Sequence, residues 1–496
     1  MGKDKQKKHK VIPRVPKGMR DLTPDQVRNR VNMINTIRKV YELHGFVPLE
    51  TPLIEYVDCL GKYLPEADEP SEGIFAFKYD DDQWVATRYD LTAPLARYFS
   101  EHEQQLPTPF RRYQVGTVLR NEQVKKGRFR EFVQFDIDTV GSSNMLADTE
   151  IIQTICEAME KLGFSSSQYQ VLVSNRKIAN GLLELAGITE SRQVLTVLRA
   201  IDKIDRLGID GAVALLGQGR KDESGVFTKG AGLDQSQIDT FMNFIAGKDG
   251  REETLALFAE AVAGSKIGEQ GVDELRQIHE HLNTLGMGAD RVVFSPRIVR
   301  GLEYYTGPVF EIELLPTFED PKTGETVSLG SIGAGGRYDT LVKYFTRRDI
   351  PATGASIGVD RLLFAMERLG LFDAPKPPPV LITVMDKQRI ADYQKMAKDL
   401  REAGIRAEIF VGGGKFSKQM KYADQRNCII VVIAGEDEFA RGEVTLKDLI
   451  VGRELAKDIA DRDQWLSDQP SQETVRREDM IEKIKEINAR HSGRTE

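Results

Sequence analysis

The chain has 496 residues, more than one hydrophobic core usually organises, so two to three domains are expected. Its 69 basic and 76 acidic residues give a net charge of −7, which excludes a generally cationic nucleic-acid coat and confines any RNA contact to local patches. No apolar run approaches the roughly 18 residues of a membrane helix, and Cys59, Cys156 and Cys428 are too scattered for a disulfide framework or a zinc site, so a cytoplasmic chain with no protein-held metal and no membrane partner is expected.

Residues 1–16, MGKDKQKKHKVIPRVP, lack the apolar core of a secretory signal and read as a disordered basic tail or a weak attractor of RNA. Thr23-Pro24-Asp25-Gln26 then combines a cap, a first-turn proline and a glutamine able to reach back, which starts a helix. Val27, Val31, Ile34, Ile37 and Tyr41 form its expected apolar stripe, ending by Gly45. Residues 46–52 read as extended, with Pro48 and Pro52 confining them to an edge or an interface. In residues 84–94 a strand turns into a helix, and Asp90, Leu91 and Thr92 sit at the turn, where capping competes with a ligand role.

Residues 111–141 read as two strands joined by a basic loop. Tyr113, Val115, Thr117 and Leu119 share one parity in the first arm, and Val133, Phe135 and Ile137 form the core-facing set in the second. That leaves Phe132, Gln134, Asp136 and Asp138 on the opposite face, either a binding floor or the polar side of a solvated hairpin. Between the arms, Lys125, Lys126 and Arg128 flank Gly127, a composition suited to polyphosphate or a nucleic-acid end.

From about 171 to 290 the pattern is helical, with few candidates for chemistry. Arg199, Lys203, Arg206 and the pair Arg220-Lys221 face either an RNA stem or solvent. His279 and His281, two apart, are expected at the surface rather than as ligands. Within RIVRGLEYYTG, residues 297–307, Arg300 supplies a planar cation for phosphate or carboxylate, and Tyr304 and Tyr305 supply an aromatic wall with hydroxyls. Gly333-Ala334-Gly335-Gly336 lacks the spacing of a dinucleotide loop, and its missing side chains let a ligand approach the backbone. Residues 354–361 lead into an amphipathic helix with Arg361 on its first turn. After a stiff proline linker, apolar runs at 380–384, 405–411 and 428–434 between helical segments predict a small α/β domain with a parallel sheet. Lys415, Lys418 and Lys421, spaced by three, face RNA or solvent, and a last amphipathic helix is expected at 479–489.

Several of these segments resemble one family. Arg120-Asn121-Glu122, the basic loop, RFREF at 128–132 and Gln134 are similar to motif 2 of class II aminoacyl-tRNA synthetases. The capped helix with its proline-bearing strand resembles motif 1, residues 354–361 resemble motif 3, and RGLEYYTG at 300–307 closely resembles the histidine-binding signature of histidyl-tRNA synthetases. Glu303 stands where that family often has Asp.

The resemblance implies a fold of class α/β (α+β): an antiparallel-sheet catalytic domain with a helical insertion, plus a C-terminal α/β anticodon-binding domain. Its implied boundaries are a tail at 1–16, catalytic parts at 17–176 and 291–373 around an insertion at 177–290, a linker at 374–379, the anticodon-binding domain at 380–462 and a charged segment at 463–496. It implies that ATP and L-histidine form histidyl-adenylate, that tRNA(His) receives the histidyl group, that Mg²⁺ rides on the polyphosphate and that motif 1 builds a homodimer. Histidine is then held by Asp90, Leu91, Thr92, Gln134, Asp138, Arg300, Tyr304 and Tyr305, with Asp90 and Asp138 meeting the ammonium alongside Gln134. ATP is held by Arg120, Glu122, Arg128, Phe132 and Arg361, with Arg120 and Arg300 catalytic at the α-phosphate. The rival is a regulatory protein on the same fold, a histidine-biosynthesis subunit or a sensor of uncharged tRNA. It needs the pocket but not the reacting centre, so the presence of Arg120, Arg300, Tyr304, Tyr305 and Arg361 argues for the catalyst.

Overall fold

Helix α1 (Pro24–Leu43) starts as its sequence dictates: Gln26 N donates to the Thr23 hydroxyl at 3.3 Å, and Thr23 N donates to the Gln26 side chain at 3.1 Å. The buried face keeps Ile37 and Tyr41 of the expected stripe, with Ile34 packed against the core, but departs from it towards the start of the helix. Met33, Ile37, Val40 and Tyr41 are in the core, whereas Val27 and Val31 are exposed, because the i, i+4, i+7 set anchored on Met33 is the one that meets neighbouring helices.

The computed structural model describes residues 11–60, 73–80, 82–122, 129–221, 225–298, 304–319, 324, 326–372, 377–458 and 471–491. The chain splits into two compact units, Met1–Phe372 and Asp373–Glu496.

In the first unit α1 is followed by β1 (Val47–Pro48), β2 (Ile54–Tyr56), β3 (Ala76–Lys78), β4 (Trp84–Thr87), α2 (Thr92–His102), β5 (Phe110–Leu119), β6 (Glu131–Val140), α3 (Met145–Lys161), β7 (Tyr169–Asn175) and α4 (Arg176–Leu185). Next come α5 (Ser191–Asp202), α6 (Ile204–Leu216), the short hairpin β8 (Gly219–Lys221) and β9 (Phe227–Lys229), α7 (Gln235–Ala246), α8 (Arg251–Ala261) and α9 (Lys266–Thr284). The unit closes with β10 (Val292–Phe294), β11 (Pro308–Glu319), β12 (Thr326–Arg337), α10 (Lys343–Thr346), β13 (Ala352–Gly358) and α11 (Val359–Leu369).

Eight strands form the main sheet in the order β1-β5-β6-β13-β12-β11-β7-β10. The inner pairings are antiparallel, and only the two outermost, β1 on β5 and β10 on β7, are parallel. β1 takes the edge position its proline demands. The inserted helices do not form a separate core: Leu182, Phe241, Phe258 and Leu275 belong to the same apolar cluster as Phe135, Ile137 and Leu362. His279 and His281 are half-buried rather than at the surface as expected. His281 Nδ1 lies 3.2 Å from the Thr149 hydroxyl, and His279 Nε2 lies 2.9 Å from the Asn283 amide, so both serve packing.

The second unit contains β14 (Val380–Ile382), α12 (Ile390–Glu402), β15 (Ala407–Ile409), α13 (Phe416–Gln425), β16 (Ile430–Ile433), α14 (Glu436–Arg441), β17 (Glu443–Asp448), α15 (Leu449–Asp458), β18 (Gln472–Arg476) and a final helix, Met480–His491. Its order is β15-β14-β16-β17-β18, parallel through the first three strands as expected. The sheet is nevertheless mixed, because β17 and β18 add on antiparallel. The segment after 463 is also part of this packing. Met480, Ile484 and Ile487 share a core with Val380, Ile382 and Leu446, so the boundary expected at 462 cuts through a folded unit.

Ile484 is fully buried there. Ile484→Ala should cost that unit about 2–5 kcal/mol through lost burial and a residual cavity. Hydrogen exchange should then accelerate at the amides of β16 and β17 and stay unchanged in β6 and β13.

Candidate active site

The register of β6 decides what the site contains. Gln134, Asp136 and Asp138 stand opposite Gly116, Gln114 and Arg112 of β5, and opposite Gly358, Ser356 and Gly354 of β13. Strand alternation therefore sends Phe135 and Ile137 into the core and the polar row to the other face. Above this face lies a cleft of about 430 Å³.

The cleft brings together Asp90, Thr92, Arg120, Glu122, Phe132, Gln134, Tyr304, Tyr305 and Arg361 from separate parts of the sequence. Arg128 and Arg300 lie outside the described residues. Two other expected residues do not line it. Leu91 is buried in the core, its carbonyl accepting from Arg112 at 3.0 Å. Asp138 lies behind the cleft, where it pairs with Arg112 at 2.9 Å and accepts a short hydrogen bond from the Tyr338 hydroxyl. Its charge is thus engaged within the protein.

Asp90 both caps and lines. Its carboxylate accepts from Thr92 N at 3.2 Å and Ala93 N at 2.9 Å while facing the cleft. Asp136 is buried, with Oδ2 3.5 Å from the Thr92 hydroxyl and Oδ1 without a hydrogen-bond partner. Burial pushes the Asp136 carboxyl up to about 7; Arg112 opposes the shift, and the charges of Asp138 and Asp90 add to it. Burial raises Asp138 and Asp90 as well; Arg112 opposes at Asp138, and the Ala93 amide, Arg120 and the Thr92 amide oppose at Asp90 ahead of Arg112. These three carboxyls share the buried guanidiniums of Arg112 and Arg88, with Arg120 also acting on Asp90.

The other end of the cleft is cationic and aromatic. The guanidinium of Arg120 donates to the Tyr89 carbonyl at 3.0 Å and lies 5.2 Å from the ring centre of Phe132. Arg361 donates to the Ser331 carbonyl at 2.7 Å from the first turn of α11. Tyr304 and Tyr305 meet edge-on at 5.3 Å, and Tyr304 packs 5.5 Å from Tyr338. Sequence reasoning left Arg112, Asp136, Tyr338 and Ser356 without roles. Only Asp136 carried a signal, its parity with Gln134.

A family model described as histidyl-tRNA synthetase matches residues 18–362, and an anticodon binding domain model matches residues 379–487. The chain is similar to the histidine–tRNA ligase of Dinoroseobacter shibae, 49% identical over 484 residues that cover 96% of this chain and 97% of the relative. It is likewise similar to that of Rhizobium leguminosarum bv. trifolii, 50% identical over 494 residues, 98% of this chain and 97% of the relative. The crystal structure of a histidyl-tRNA synthetase from Nostoc sp. matches with a TM-score of 0.70 at 28% identity, covering 97% of this chain and 100% of that one. A Bacillus halodurans structure, described as an ATP phosphoribosyltransferase regulatory subunit/histidyl-tRNA synthetase, shares the fold with a TM-score of 0.63 at 22% identity, covering 83% of this chain and 97% of that one.

The raised Asp136 gives a test of the acidic floor. Its folded value of about 7 exceeds the ordinary 3.8, so the stability it contributes is fully present below 3.8 and is lost as pH rises through 7. Asp136→Asn, which cannot ionise, should raise the melting temperature of the unliganded protein most at pH 8, by an effect on the order of a few kcal/mol, and by clearly less at pH 5, inside the window between 3.8 and 7. Calorimetry at the two pH values checks this, and an equal shift at both contradicts it.

Proposed function

The chain belongs to the histidyl-tRNA synthetase family, and from that premise we propose how its cleft joins L-histidine to tRNA(His) at the expense of ATP. The observation that carries the reading is the polarity of the cleft, acidic at Asp90, with Asp136 buried close behind it, and cationic-aromatic at Arg120, Phe132 and Arg361. The acidic end suits an ammonium group, and the other end suits a nucleotide.

Asp90, with Thr92 and Gln134, receives the histidine ammonium, while Leu91 supports that turn from the core and Asp138 keeps Arg112 and Tyr338 in place beneath it. Tyr304 and Tyr305 wall the imidazole. Phe132 stacks on adenine, Glu122 meets its amino group, Arg120 and Arg300 neutralise the α-phosphate, and Arg128 and Arg361 neutralise the γ-phosphate. A carboxylate oxygen of histidine attacks the α-phosphorus, the bond to the bridging oxygen breaks, and pyrophosphate leaves with the electron pair. In the second step a hydroxyl of the tRNA 3′-terminal ribose attacks the histidyl carbonyl and AMP departs. Neither step needs a nucleophile from the protein, so orientation and charge neutralisation are its contribution.

Mg²⁺ accompanies ATP in this reading and supplies further neutralisation. Among the described residues no group of three or more His, Cys, Asp or Glu could hold a metal ion. A homodimer is proposed on the family resemblance of α1 and β1, where Val27, Val31 and Val47 are exposed. Exposed Lys415, Lys418 and Lys421 support RNA contact by the second unit. The cytoplasm, where tRNA is charged, is the proposed location; among the described residues no helix is long and apolar enough to cross a membrane.

Pyrophosphate exchange into ATP with each of the twenty amino acids tests the reading. Histidine alone should support it, others falling about 10⁴-fold lower because their side chains leave polar groups of the pocket unpaired. Comparable exchange with glutamine or phenylalanine would overturn it. Arg300→Ala should slow single-turnover adenylate formation about 10²- to 10³-fold, ~3–4 kcal/mol, as one charged donor in a preorganised site does. Binding of tRNA should persist; equal loss of both would make Arg300 structural.

A further inference from the structure

Just before α1, the chain reaches two walls of the cleft through one side chain. The guanidinium carbon of Arg20 lies 4.1 Å from the ring centre of Phe129, at the entrance to β6. The same guanidinium pairs with Asp360 at 2.8 Å, and the other oxygen of Asp360 accepts from Val133 N at 2.7 Å. Phe129 and Asp360 both line the cleft, and Asp360 directly precedes Arg361. A backbone bond reinforces the arrangement, with Arg130 N donating to the Gly18 carbonyl at 2.8 Å.

We propose that Arg20 is a positioning residue for ATP, tying Phe129 at the base of the β5–β6 loop to Asp360 on the first turn of α11, and so fixing the spacing of the walls that flank the nucleotide. This rests on the reading of that end of the cleft as the ATP site. A planar guanidinium turns its face to a ring while its edge meets a carboxylate; the compact ammonium of lysine satisfies one or the other. The pair with Asp360 is partly exposed, 30% at the Arg20 side chain, so as an isolated ion pair it would contribute little. Its effect lies in joining segments 340 residues apart at the mouth of one cleft. Walls held at the bound spacing spare ATP the cost of ordering them.

The test is calorimetric titration of the full chain with ATP alone and with histidine alone, for the parent, Arg20→Ala and Arg20→Lys, together with melting temperatures and exchange kinetics. Arg20→Ala should weaken ATP about tenfold, change histidine affinity less than about twofold, and raise the KM for ATP more than it lowers kcat. Arg20→Lys should recover only part of the loss. Unchanged ATP affinity in Arg20→Ala, full recovery by lysine, or a parallel loss of ATP and histidine binding with a lowered melting temperature would overturn the inference. If Arg20→Ala does not fold, the ATP affinity of Arg20→Lys decides, parental affinity counting against the inference. A parent chain that binds ATP but shows no histidine-dependent exchange would instead overturn the functional reading, leaving the ATP titrations to judge Arg20.

Discussion

A guanidinium with no exposed surface, that of Arg112, is the interaction on which the site depends. It joins β5, β6 and the turn before α2 through Asp138 and the Leu91 carbonyl. Burying such a charge is tolerated only when a partner and hydrogen bonds replace water, and here it must answer to more than one carboxylate. Asp138 takes the direct pair, Asp136 keeps an oxygen without a partner, and Asp90 stands nearby at the cleft wall. In the unliganded protein burial therefore disfavours the ionised form of all three carboxyls, with Arg112 and Arg120 opposing. In the proposed reaction a substrate ammonium beside Asp90 favours the ionised carboxylate and gains affinity from it.

That arrangement also explains glycines with no obvious purpose in the sequence. A Cβ on Gly354 would lie 2.0 Å from Asp138 Oδ1, and one on Gly116 would lie 2.3 Å from the Arg88 guanidinium. Charged side chains lying along a sheet need neighbours without side chains. Gly333 and Gly335 act differently: a Cβ there would meet the backbone carbonyls of Ser356 and Gly354 at 2.6 and 2.3 Å, so they permit close approach of β12 to β13. The glycine-rich segment thus serves sheet packing first, and the cleft floor at Gly333 benefits from it.

What was legible in the sequence follows from the range of each interaction. The capping box of α1 and the parity of β6 are local and emerged as expected. The motif residues of the cleft were legible by resemblance rather than by physics. Arg112 was not legible, because an arginine in a strand ordinarily faces water and its burial depends on Asp138, a residue of the neighbouring strand. β17 (EVTLKD) and β18 (QETVR) carry no apolar run, and their pairing is set by contacts distant in sequence. Asp138, expected beside Asp90 at the ammonium, is instead engaged by Arg112 and Tyr338, partners that periodicity does not reveal.

The order of the cleft along β6 has a geometric consequence. At about 3.3 Å per residue, Phe132 and Gln134 are separated by about 7 Å, and Phe132 and Asp136 by about 13 Å. If Phe132 receives adenine while Asp90, Thr92 and Gln134 receive an ammonium, the reacting carboxylate and α-phosphate must meet between Gln134 and Phe132. Gln134 is suited to that position because its amide is neutral and its Nε2 is already fixed by Ser356 at 2.7 Å. A charged residue there would favour one substrate's polarity over the other's. On that reading β6, paired on both sides with antiparallel neighbours, would set the order in which the nucleotide and the amino acid lie.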